Sequence, residues 1–534
     1  MGLAISAPAI AYTSMHMFDA ILVTRSEADT TLWMGIEIAL AALITIFTCL
    51  QQDTSRLLRD PLALEMTTQL ARKAVTIPLT DLEAPGLREQ LAQARETAGQ
   101  RGGQFVGDLL VVIQGIMSLA ICCAILAPFT WLAVLVFAAT IPGALVEVWS
   151  ARVMHRSSVN LTHDRQRFDQ LEGTLLSGTS AIENKFLGVG SRIVSRLRAI
   201  SIRLGGDQFR VWRRAGLAVA AAQLFPLAAY YGTYIYLGFE ASRGALSFGA
   251  LTLCLISMHN AQQFSLAALF ASRNVGEYWM QLRSYFEVLD HAPPARVAGP
   301  PPVPSLGLRL ENAGFRYPGS DAWAVRHVDL DIGRNEIIGI VGGNGSGKST
   351  LVRLITGLYR PSEGRVMLDG RDLADWDEAA LRARFAVVFQ QFARYRMSLR
   401  DNLALPAAEG DEARCAAAFV ASGVEQFVPG LPHGADTSLT PTFDSGVDLS
   451  GGQWQKVALA RAFVRSDADI LIMDEATSAL DAPSEQRVLE HVCRPCRMQS
   501  VVLITHRLSA LKWADKVVRL EKGRASIVPV PEAP

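Results

Sequence analysis

Hydrophobic positions follow two different patterns on either side of about residue 290. Before this point, long apolar segments alternate with polar, basic segments; after it, short apolar runs alternate with stretches of helical periodicity. An apolar segment of about 20 residues has the length that a bilayer crossing requires, whereas short buried runs between helices are typical of an α/β sandwich. The pattern therefore predicts a helical membrane half followed by an α/β half.

The apolar segments of the first half predict about six membrane helices. Five are long and almost free of charge: Thr31 to Leu50, Leu109 to Leu126, Thr130 to Val148, Ala215 to Gly238 and Phe248 to Ala271. A break at Ala127 to Phe129 separates the second of these from the third. Leu3 to Val23 is weaker because it carries His16 and Asp19. We therefore expect a shortened first helix, either trimmed in the protein or cut by a misassigned chain start.

Charge predicts how these helices are oriented. The segments 51–107 and 150–214 are long, polar and basic, whereas the connections 127–129 and 239–247 are short and nearly uncharged. Because positively charged loops stay in the cytoplasm, both long segments should lie there together with the C-terminal half. Their length and helical spacing predict spans that continue beyond the membrane as extended helices.

Several polar residues interrupt the predicted spans. They are Glu37, Gln114, His259, Asn260, Gln262 and Gln263. Polar groups are costly in lipid and tend to face a bundle interior or a wet cavity. Two hypotheses stay open for them: contact with a transported substrate, or hydrogen bonding between helices.

A proline-rich stretch, HAPPARVAGPPPVPSL, runs from His291 to Leu306. Such a run cannot continue a helix and is semi-rigid and extended. It predicts three parts: a membrane domain at 1–290, a linker at 291–307 and an α/β domain at 308–530.

Composition narrows the function classes. Hydrophobic residues make up 50% of the chain and mean hydropathy is +0.21, which is high for a soluble enzyme. The formal net charge is zero, so no global field indicates a nucleic-acid partner. The seven cysteines are scattered and do not resemble a disulfide framework. Cys493 and Cys496 form an isolated C-x-x-C whose role stays open.

The second half of the chain contains a candidate phosphate-binding loop. The apolar run Ile337 to Ile340 leads into GGNGSGKS at Gly342 to Ser349, which fits G-x-x-x-x-G-K-[ST]. Glycines let backbone N–H groups curl around phosphate oxygens, and a helix predicted at Leu351 to Leu358 points its positive end at them. The candidate ATP-binding residues here are Gly342, Asn344, Gly345, Ser346, Gly347, Lys348, Ser349 and Thr350.

Further short motifs follow in a fixed order. Tyr317 lies in FRYP, Gln390 in VFQQ, Ser450 to Gln453 in LSGGQ, Asp474 and Glu475 end the apolar run ILIMDE, Asp481 ends SALD, and His506 ends VVLITH. Together these motifs resemble the ATPase cassette of ABC transporters, and six spans followed by one cassette resemble an exporter-type half-transporter. The resemblance implies a polytopic α-helical membrane domain (type IV ABC exporter-like) followed by an α/β P-loop NTPase cassette.

The resemblance also implies roles for the residues that match the family's motifs, with ATP and Mg²⁺ as cofactors. Glu475 would be the catalytic carboxylate, with His506 and Gln390 as its partners at the γ-phosphate. Tyr317 would stack on adenine. Ser349, Gln390 and Asp474 would hold Mg²⁺. Ser450, Gly451, Gly452, Gln453 and Asp481 would act on the ATP that a second cassette holds.

A second half-transporter is therefore implied, since this chain has one cassette. Its intact motifs favour a homodimer, and a heterodimer stays open. Short helices that dock on cassettes in this family are expected at Asp81 to Arg88 and Ala181 to Arg192. The implied location is a bacterial-type inner (cytoplasmic) membrane, with the cassette on the cytoplasmic side and a transported small molecule or peptide as a further partner.

The leading hypothesis is an ATP-driven exporter of an amphipathic substrate: a peptide, lipid or drug-like molecule. FQQF…RY and SGGQWQK resemble exporters of modified antimicrobial peptides. An importer of the same architecture, for example for siderophores, and a regulatory half of a heterodimer stay open. The five strong spans exclude a soluble ABC factor that acts on ribosomes or DNA.

Overall fold

The computed structural model describes residues 2–125, 130–176, 178–291, 307–406, 411–441, 445–493 and 499–530. The chain forms two compact units. The first comprises Met1–Val75 and Glu89–Asp290, and the second comprises Thr76–Arg88 and His291–Pro534. The short segment Thr76–Arg88 therefore belongs to the same unit as the C-terminal half. The predicted linker, apart from His291, and the predicted break Ala127 to Phe129 lie outside the described residues.

Helices account for the described N-terminal half. They are α1 (Gly2–Asp19), α2 (Glu27–Thr76), α3 (Leu79–Glu83), α4 (Pro85–Glu96), α5 (Gly102–Ile125), α6 (Thr130–Asn160), α7 (Thr162–Leu176), α8 (Gly178–Phe186), α9 (Gly190–Ser242) and α10 (Phe248–Asp290). Short π-helical turns at Ala20–Thr24 and Thr97–Arg101 follow α1 and α4. Two helices are much longer than a bilayer crossing requires, since α2 has 50 residues and α9 has 53.

Three stretches of the described residues are long and apolar enough to cross a membrane: Glu27–Gln51, Gly102–Ile125 and Gly190–Ser242. Five strong spans were expected, and the remaining two, Thr130 to Val148 and Phe248 to Ala271, are helical as parts of α6 and α10. Large side chains on these helices, such as Ile38 and Leu145, are more than half exposed. An exposed apolar surface of this extent is typical of helices that face lipid.

Polar groups join helices inside the first unit. The Ser14 hydroxyl donates to Oε1 of Glu37 at 3.0 Å, and the Gly249 backbone N–H donates to Oδ1 of Asp19 at 3.0 Å. Arg273 lies 3.8 Å from the nearly buried carboxylate of Glu147. Of the two hypotheses for Glu37, hydrogen bonding between helices is the one that the geometry displays.

Two β-sheets form the centre of the second unit. The first is antiparallel, in the order β2 (Trp323–Ile332), β1 (Leu308–Arg316), β4 (Glu363–Leu368), β5 (Arg371–Asp372). The second has the order β10 (Arg524–Val528), β9 (Lys516–Glu521), β3 (Ile337–Val341), β8 (Ser500–Ile504), β7 (Ile470–Asp474), β6 (Phe385–Val388). In the second sheet, β9, β3, β8, β7 and β6 run parallel and only β10 is antiparallel.

The helices of this unit are α11 (Lys348–Ile355), α12 (Glu378–Ala383), α13 (Leu399–Ala404), α14 (Glu412–Ser422), α15 (Gly451–Phe463), α16 (Ala482–Val492) and α17 (Leu508–Leu511). Every residue of β7 and β8 is buried, as expected for parallel strands that are covered on both faces. The carboxyl ends of β3, β7 and β8 lie at one edge of the sheet, where ligands bind in open α/β folds.

Three helices that the sequence predicts have different limits in the structure. The helix after the phosphate loop is α11, which starts at Lys348 and not at Leu351, and ends before Gly357, whose φ is +70°. The docking segment predicted at Asp81 to Arg88 is split between α3 and α4. Ala84 is extended because it precedes Pro85, and proline disfavours the helical conformation of the residue before it.

The second docking segment, predicted at Ala181 to Arg192, is also displaced. Its helix, α8, starts at Gly178 and ends at Phe186, and α9 already begins at Gly190. Gly188 lies between them with φ of +63°, a left-handed conformation that ends helices.

Candidate nucleotide-binding site

The loop from Gly342 to Gly347 connects β3 to α11 at the carboxyl edge of the parallel sheet. A Cβ atom at Gly342 would lie 2.4 Å from the Leu520 carbonyl oxygen, and one at Gly347 would lie 2.6 Å from that of Ala324. Gly347 also has φ of 103°, which side chains rarely adopt. The loop therefore requires glycine at both positions, whereas a Cβ at Gly343 would meet nothing within 4 Å.

Lys348 bends back over this loop. Its Nζ donates to the carbonyl oxygens of Gly342 at 2.6 Å and Gly343 at 3.2 Å, and lies 3.2 Å from Nε2 of His506. Ser346 points a buried hydroxyl oxygen into the loop, and this atom has no hydrogen-bond partner among the described residues. A cationic amine, an unpaired buried hydroxyl and exposed glycine backbone are the groups that bind a polyphosphate.

Glu475 follows β7 and stands at the centre of the polar groups. Its φ of +50° is rare for a side-chain-bearing residue, and its backbone N–H donates to the Ile504 carbonyl oxygen at 2.9 Å. Nε2 of Gln390 donates to one carboxylate oxygen at 2.9 Å, and Nε2 of His506 lies 3.6 Å from the other. The structure thus brings together Lys348, Gln390, Glu475 and His506, which sequence motifs alone place far apart.

Asp474 precedes Glu475 and is 4% exposed. Burial is the main cause that raises the pKa of its carboxyl to about 6, and the neighbouring Glu475 charge adds to it, while Lys348 and Arg353 oppose the shift. A buried carboxyl that is short of compensating positive charge suits a divalent cation.

The LSGGQ motif lies at the start of helix α15. Ser450 caps α15: its hydroxyl accepts from the Gln453 N–H at 3.3 Å, and the Gln453 side chain accepts from the Ser450 N–H at 2.9 Å. Ser450 and Gly451 are exposed, and Gly452 passes close to the Ala479 carbonyl oxygen. Over the described residues, no hydrogen bond or ion pair joins Ser450 to Gln453 with the phosphate loop.

Asp481 is exposed and occupies the N-cap position of α16. The Ser484 side chain donates to it and is the main cause that holds the pKa of its carboxyl below the usual range.

Gln455 is a residue that the motifs did not single out. Its amide donates to the Glu475 carbonyl oxygen at 3.2 Å and accepts from the Ala479 N–H at 2.8 Å. Gln455 thus connects α15 to Glu475, the candidate catalytic residue. The sequence feature that could have drawn attention to Gln455 is its position two residues after LSGGQ.

Tyr317 lies at the other end of the site, on the loop after β1. Its ring is 36% exposed and packs edge-on against Phe315 and Tyr359, with ring centres 5.3 and 5.9 Å away. Its hydroxyl lies 3.1 Å from Oγ1 of Thr350, in the first turn of α11. We call Tyr317, Arg353 and Tyr359 the base end, and the loop Gly342 to Ser349 with Gln390, Glu475 and His506 the phosphate end.

These residues fit ATP and Mg²⁺. Gly342 and Gly347 let the loop backbone approach the carbonyl oxygens of Leu520 and Ala324, and the unpaired Ser346 hydroxyl and the Lys348 amine lie in the loop that this backbone forms. Ser349, Gln390 and Asp474 supply oxygen ligands of the kind that Mg²⁺ prefers. Tyr317 offers a partly exposed aromatic ring for a base.

Residues 325–478 match the family described as ABC transporter. An ATP-dependent lipid A-core flippase of Alkalilimnicola ehrlichii is 42% identical over 244 residues, which cover 45% of this chain and 41% of the flippase. A cyclolysin secretion/processing ATP-binding protein of Bordetella pertussis is 41% identical over 226 residues, which cover 42% of this chain and 31% of that protein. The matched regions thus span less than half the length of these relatives.

A solved structure covers almost the whole chain. It is described as the structure of a bacterial Atm1-family ABC exporter with ATP bound, and it aligns with a TM-score of 0.74 over 98% of this chain and 92% of that one, at 22% identity. At this identity the likeness concerns the fold. The predicted fold class, a polytopic helical membrane domain followed by an α/β P-loop cassette, is confirmed.

Proposed function

We propose that this chain, which has the fold of an exporter-type ABC half-transporter with a C-terminal ATP-binding cassette, hydrolyses ATP to drive export across a membrane. The observation that carries the proposal is the convergence of Lys348, Gln390, Glu475 and His506 at the carboxyl edge of one parallel sheet. A phosphate cradle next to a carboxylate that is held by an amide and an imidazole is the arrangement that phosphoryl transfer to water requires.

Each side chain takes a separate role in this proposal. The Glu475 carboxylate orients the attacking water and accepts its proton, since it is the acidic group that projects beside Lys348 and His506. His506 donates a hydrogen bond to the charge that develops on the γ-phosphate, and Lys348 neutralises the β- and γ-phosphate oxygens. Ser349, Asp474 and Gln390 would hold Mg²⁺, which supplies further neutralisation of the phosphates when it is bound.

A dimer completes the site. Ser450 and Gly451 are exposed and form, with Gly452, a helix start that makes no hydrogen bond to the phosphate loop of the same chain among the described residues. An exposed helix N-terminus binds anions readily, so a second cassette in head-to-tail orientation would receive it over its own ATP. Because this chain has Lys348, Glu475 and His506, two identical chains would form two working sites, and we propose a homodimer.

The second docking helix supports a partner that lies outside this chain. Ile182 and Phe186, one turn apart on α8, are 81% and 89% exposed. Apolar side chains at this spacing form one face of a helix and suit a hydrophobic groove on another subunit. We propose that α8 docks on the cassette of the second half-transporter.

The transported substrate is proposed to be amphipathic. Gln262 is one of the polar residues in the predicted spans. It lines a small cavity in the membrane half together with Gln223, Thr140 and Ser265. This cavity has room for only about one water molecule and is too small to hold a substrate, so the amphipathic class is supported by the sequence resemblance to peptide exporters and by the relatives. The relatives that match this chain are described as a lipid A-core flippase and as a cyclolysin secretion protein, which are export activities.

The membrane is proposed to be a bacterial inner membrane, with the cassette on its cytoplasmic side. The basic segments 51–107 and 150–214 support this orientation because they extend the same helices that cross the membrane. ATP is available on that side, which the cassette requires.

The function is tested with the full chain in proteoliposomes. Phosphate release and substrate movement are measured for a panel of a lipid A-like lipid, an amphipathic peptide and a cationic drug, with Mg²⁺ present. We expect one member to stimulate phosphate release and to accumulate in the compartment opposite the cassettes. Accumulation in the cassette compartment would establish import instead.

Glu475→Gln is the inactive control in this experiment, and crosslinking followed by native mass measurement reports the oligomer. A dimer of identical chains supports the homodimer. Full phosphate release by the Glu475→Gln protein would contradict the catalytic assignment, and activity that appears only when a different half-transporter is added would contradict the homodimer.

A further inference from the structure

The base end is joined to the short helix α3 through a carboxylate. Glu83, the last residue of α3, places its carboxylate beside Tyr359 and Arg353. The hydroxyl of Tyr359 donates to Oε2 of Glu83, and NH1 of Arg353 lies 3.7 Å from Oε1. Arg353 also donates to the Tyr359 hydroxyl at 2.7 Å. All three side chains are thus engaged in one charged hydrogen-bond network.

The network has a buried member, Tyr359, and two partly exposed ones. Tyr359 is 1% exposed, and the side chains of Glu83 and Arg353 are about one-third exposed. Burial is the main cause that raises the pKa of Tyr359 above its usual range, and the hydrogen bond to Glu83 adds to it. The phenol therefore stays protonated and remains a donor to the carboxylate. Hydrogen bonds to charged groups in such surroundings are stronger than neutral ones.

The same network reaches Tyr317. The Tyr359 ring stacks on Phe315 at 4.5 Å between ring centres and meets the Tyr317 ring edge-on at 5.9 Å. NH1 of Arg353 donates to the Tyr317 hydroxyl at 3.4 Å, and that hydroxyl lies 3.1 Å from Thr350. The position of the Tyr317 ring is therefore set by the two residues that also hold Glu83.

Among the described residues, α3 has further attachments within the second unit. Pro78 precedes it and Pro85 follows it, which fixes the chain direction at both ends. Leu79 packs against the hydrophobic core that contains β1, β3 and α11. Asp81 lies 3.0 Å from Nε2 of His291. Glu83 is the attachment that leads to the base end.

We propose that Glu83, Tyr359 and Arg353 are positioning residues that couple the seating of α3 to base binding at Tyr317. When α3 is seated, Glu83 fixes Tyr359 and Arg353, and these hold the Tyr317 ring at the angle that receives a base. When α3 is displaced, the base loses affinity while the phosphate end is unaffected. The coupling is reciprocal, so that a bound base strengthens the seat of α3 by the same free energy. This inference rests on the proposed ATP site.

The test compares ligands with and without a base. Binding of ATP and of inorganic tripolyphosphate, both with Mg²⁺, is measured by calorimetry on the full chain in nanodiscs. For Glu83→Gln and Tyr359→Phe, we expect the Kd of ATP to rise roughly fivefold or more, within the range of site-to-site coupling. The Kd of tripolyphosphate should stay unchanged. Glu311→Gln is the matched control, because Glu311 is paired with Arg365 at 2.7 Å on the exposed face of β1.

A double-mutant cycle separates coupling from a merely structural role. In a Tyr317→Ala background, Glu83→Gln should no longer change the Kd of ATP. An equal rise in the Kd of ATP and tripolyphosphate, or an effect of Glu83→Gln that persists without Tyr317, would overturn the coupling. If Tyr359→Phe unfolds, Glu83→Gln carries the test, since its side chain is partly exposed and keeps its volume.

The same data distinguish failure of the coupling from failure of the proposed site. A Tyr317→Ala protein that binds ATP as tightly as the parent would show that Tyr317 does not hold the base, and would overturn the site itself. A weakened Tyr317→Ala protein together with an unchanged Glu83→Gln protein would leave the site in place and overturn the coupling alone.

Discussion

At the phosphate end, Lys348, Glu475 and His506 stand at the ends of parallel strands and contact one another through polar atoms. At the base end, Tyr317 and Tyr359 pack by their rings, and the polar atoms of that end lead away to Glu83 on α3. The first end is a set of reactive groups that a rigid sheet holds in place. The second is a surface whose shape depends on a separate short helix.

This difference predicts two kinds of mutational effect. Changes at the phosphate end remove groups that act in the transition state, so they should reduce turnover. Changes at the base end remove contacts that are equal in the ground state and the transition state, so they should raise KM and leave kcat intact.

Glu475→Gln should reduce kcat for ATP by about 10²- to 10⁴-fold, because the amide cannot accept a proton from water. ATP binding should persist, since the glutamine amide has nearly the same size as the carboxylate and can still form hydrogen bonds. Phosphate release and fluorescent-nucleotide binding report the two quantities. Glu490→Gln is the control, because Glu490 is exposed and bonded to Gln486 on α16. Turnover above a tenth of the parent value would show that Glu475 is not the group that accepts the proton from water.

Gly347→Ala should weaken both ATP and tripolyphosphate binding, since its Cβ would lie 2.6 Å from the Ala324 carbonyl oxygen at a φ of 103°. The strain amounts to about 1–3 kcal/mol, and a melting curve measures it. Gly343→Ala is the matched variant in the same loop, with nothing within 4 Å of its Cβ. Equal behaviour of the two variants would show that the loop is not the rigid cradle described above.

Tyr317→Ala should weaken ATP binding by about 1–3 kcal/mol, the value of stacking a base on an aromatic ring. The kcat at saturating ATP should remain near the parent value, and Tyr317→Trp should restore affinity. Steady-state phosphate release over a range of ATP concentrations separates KM from kcat. A fall in kcat with KM unchanged would contradict the division between the two ends.

The Mg²⁺ dependence of ATP binding should weaken below about pH 6. The folded pKa of Asp474 is about 6 and lies above its ordinary value of 3.8, so its carboxyl becomes protonated as the pH falls through 6 and can no longer bind a cation. Mg²⁺ affinity should fall about tenfold per pH unit below this point. Titrations at pH 7, 6 and 5 measure it, and Asp474→Asn should show weak affinity without this pH dependence.

The phosphate end was predictable because its motifs are short and local. Gly342 to Ser349 is contiguous, and Asp474, Glu475 and His506 each end a buried apolar run, so that sheet geometry alone predicts their meeting. Gln455 escaped prediction although it lies close to LSGGQ, because a glutamine in a helix carries no pattern that indicates a bond to the carbonyl of Glu475.

The base end was predictable only in part. Tyr317 was recognised from its motif, but Tyr359 and Glu83 are 276 positions apart, and no local periodicity relates residues at this distance. The single helix predicted at Asp81 to Arg88 is instead divided between α3 and α4, because Pro85 disfavours the helical conformation of Ala84. Tertiary packing, which a single sequence does not display, decides the first point, whereas the second follows from the local effect of a proline on the residue before it.

The length of α2 makes it a lever arm. Its 50 residues extend over about 75 Å, of which a bilayer core takes up about 30 Å. A rigid rod that tilts by about 5° moves the end of its remaining 45 Å or so by about 4 Å, which exceeds the reach of a hydrogen bond. Thr76 is that end, and α3 follows directly in the chain. If α2 tilted in this way, the start of α3 would move by more than the hydrogen bond between Glu83 and Tyr359 can span.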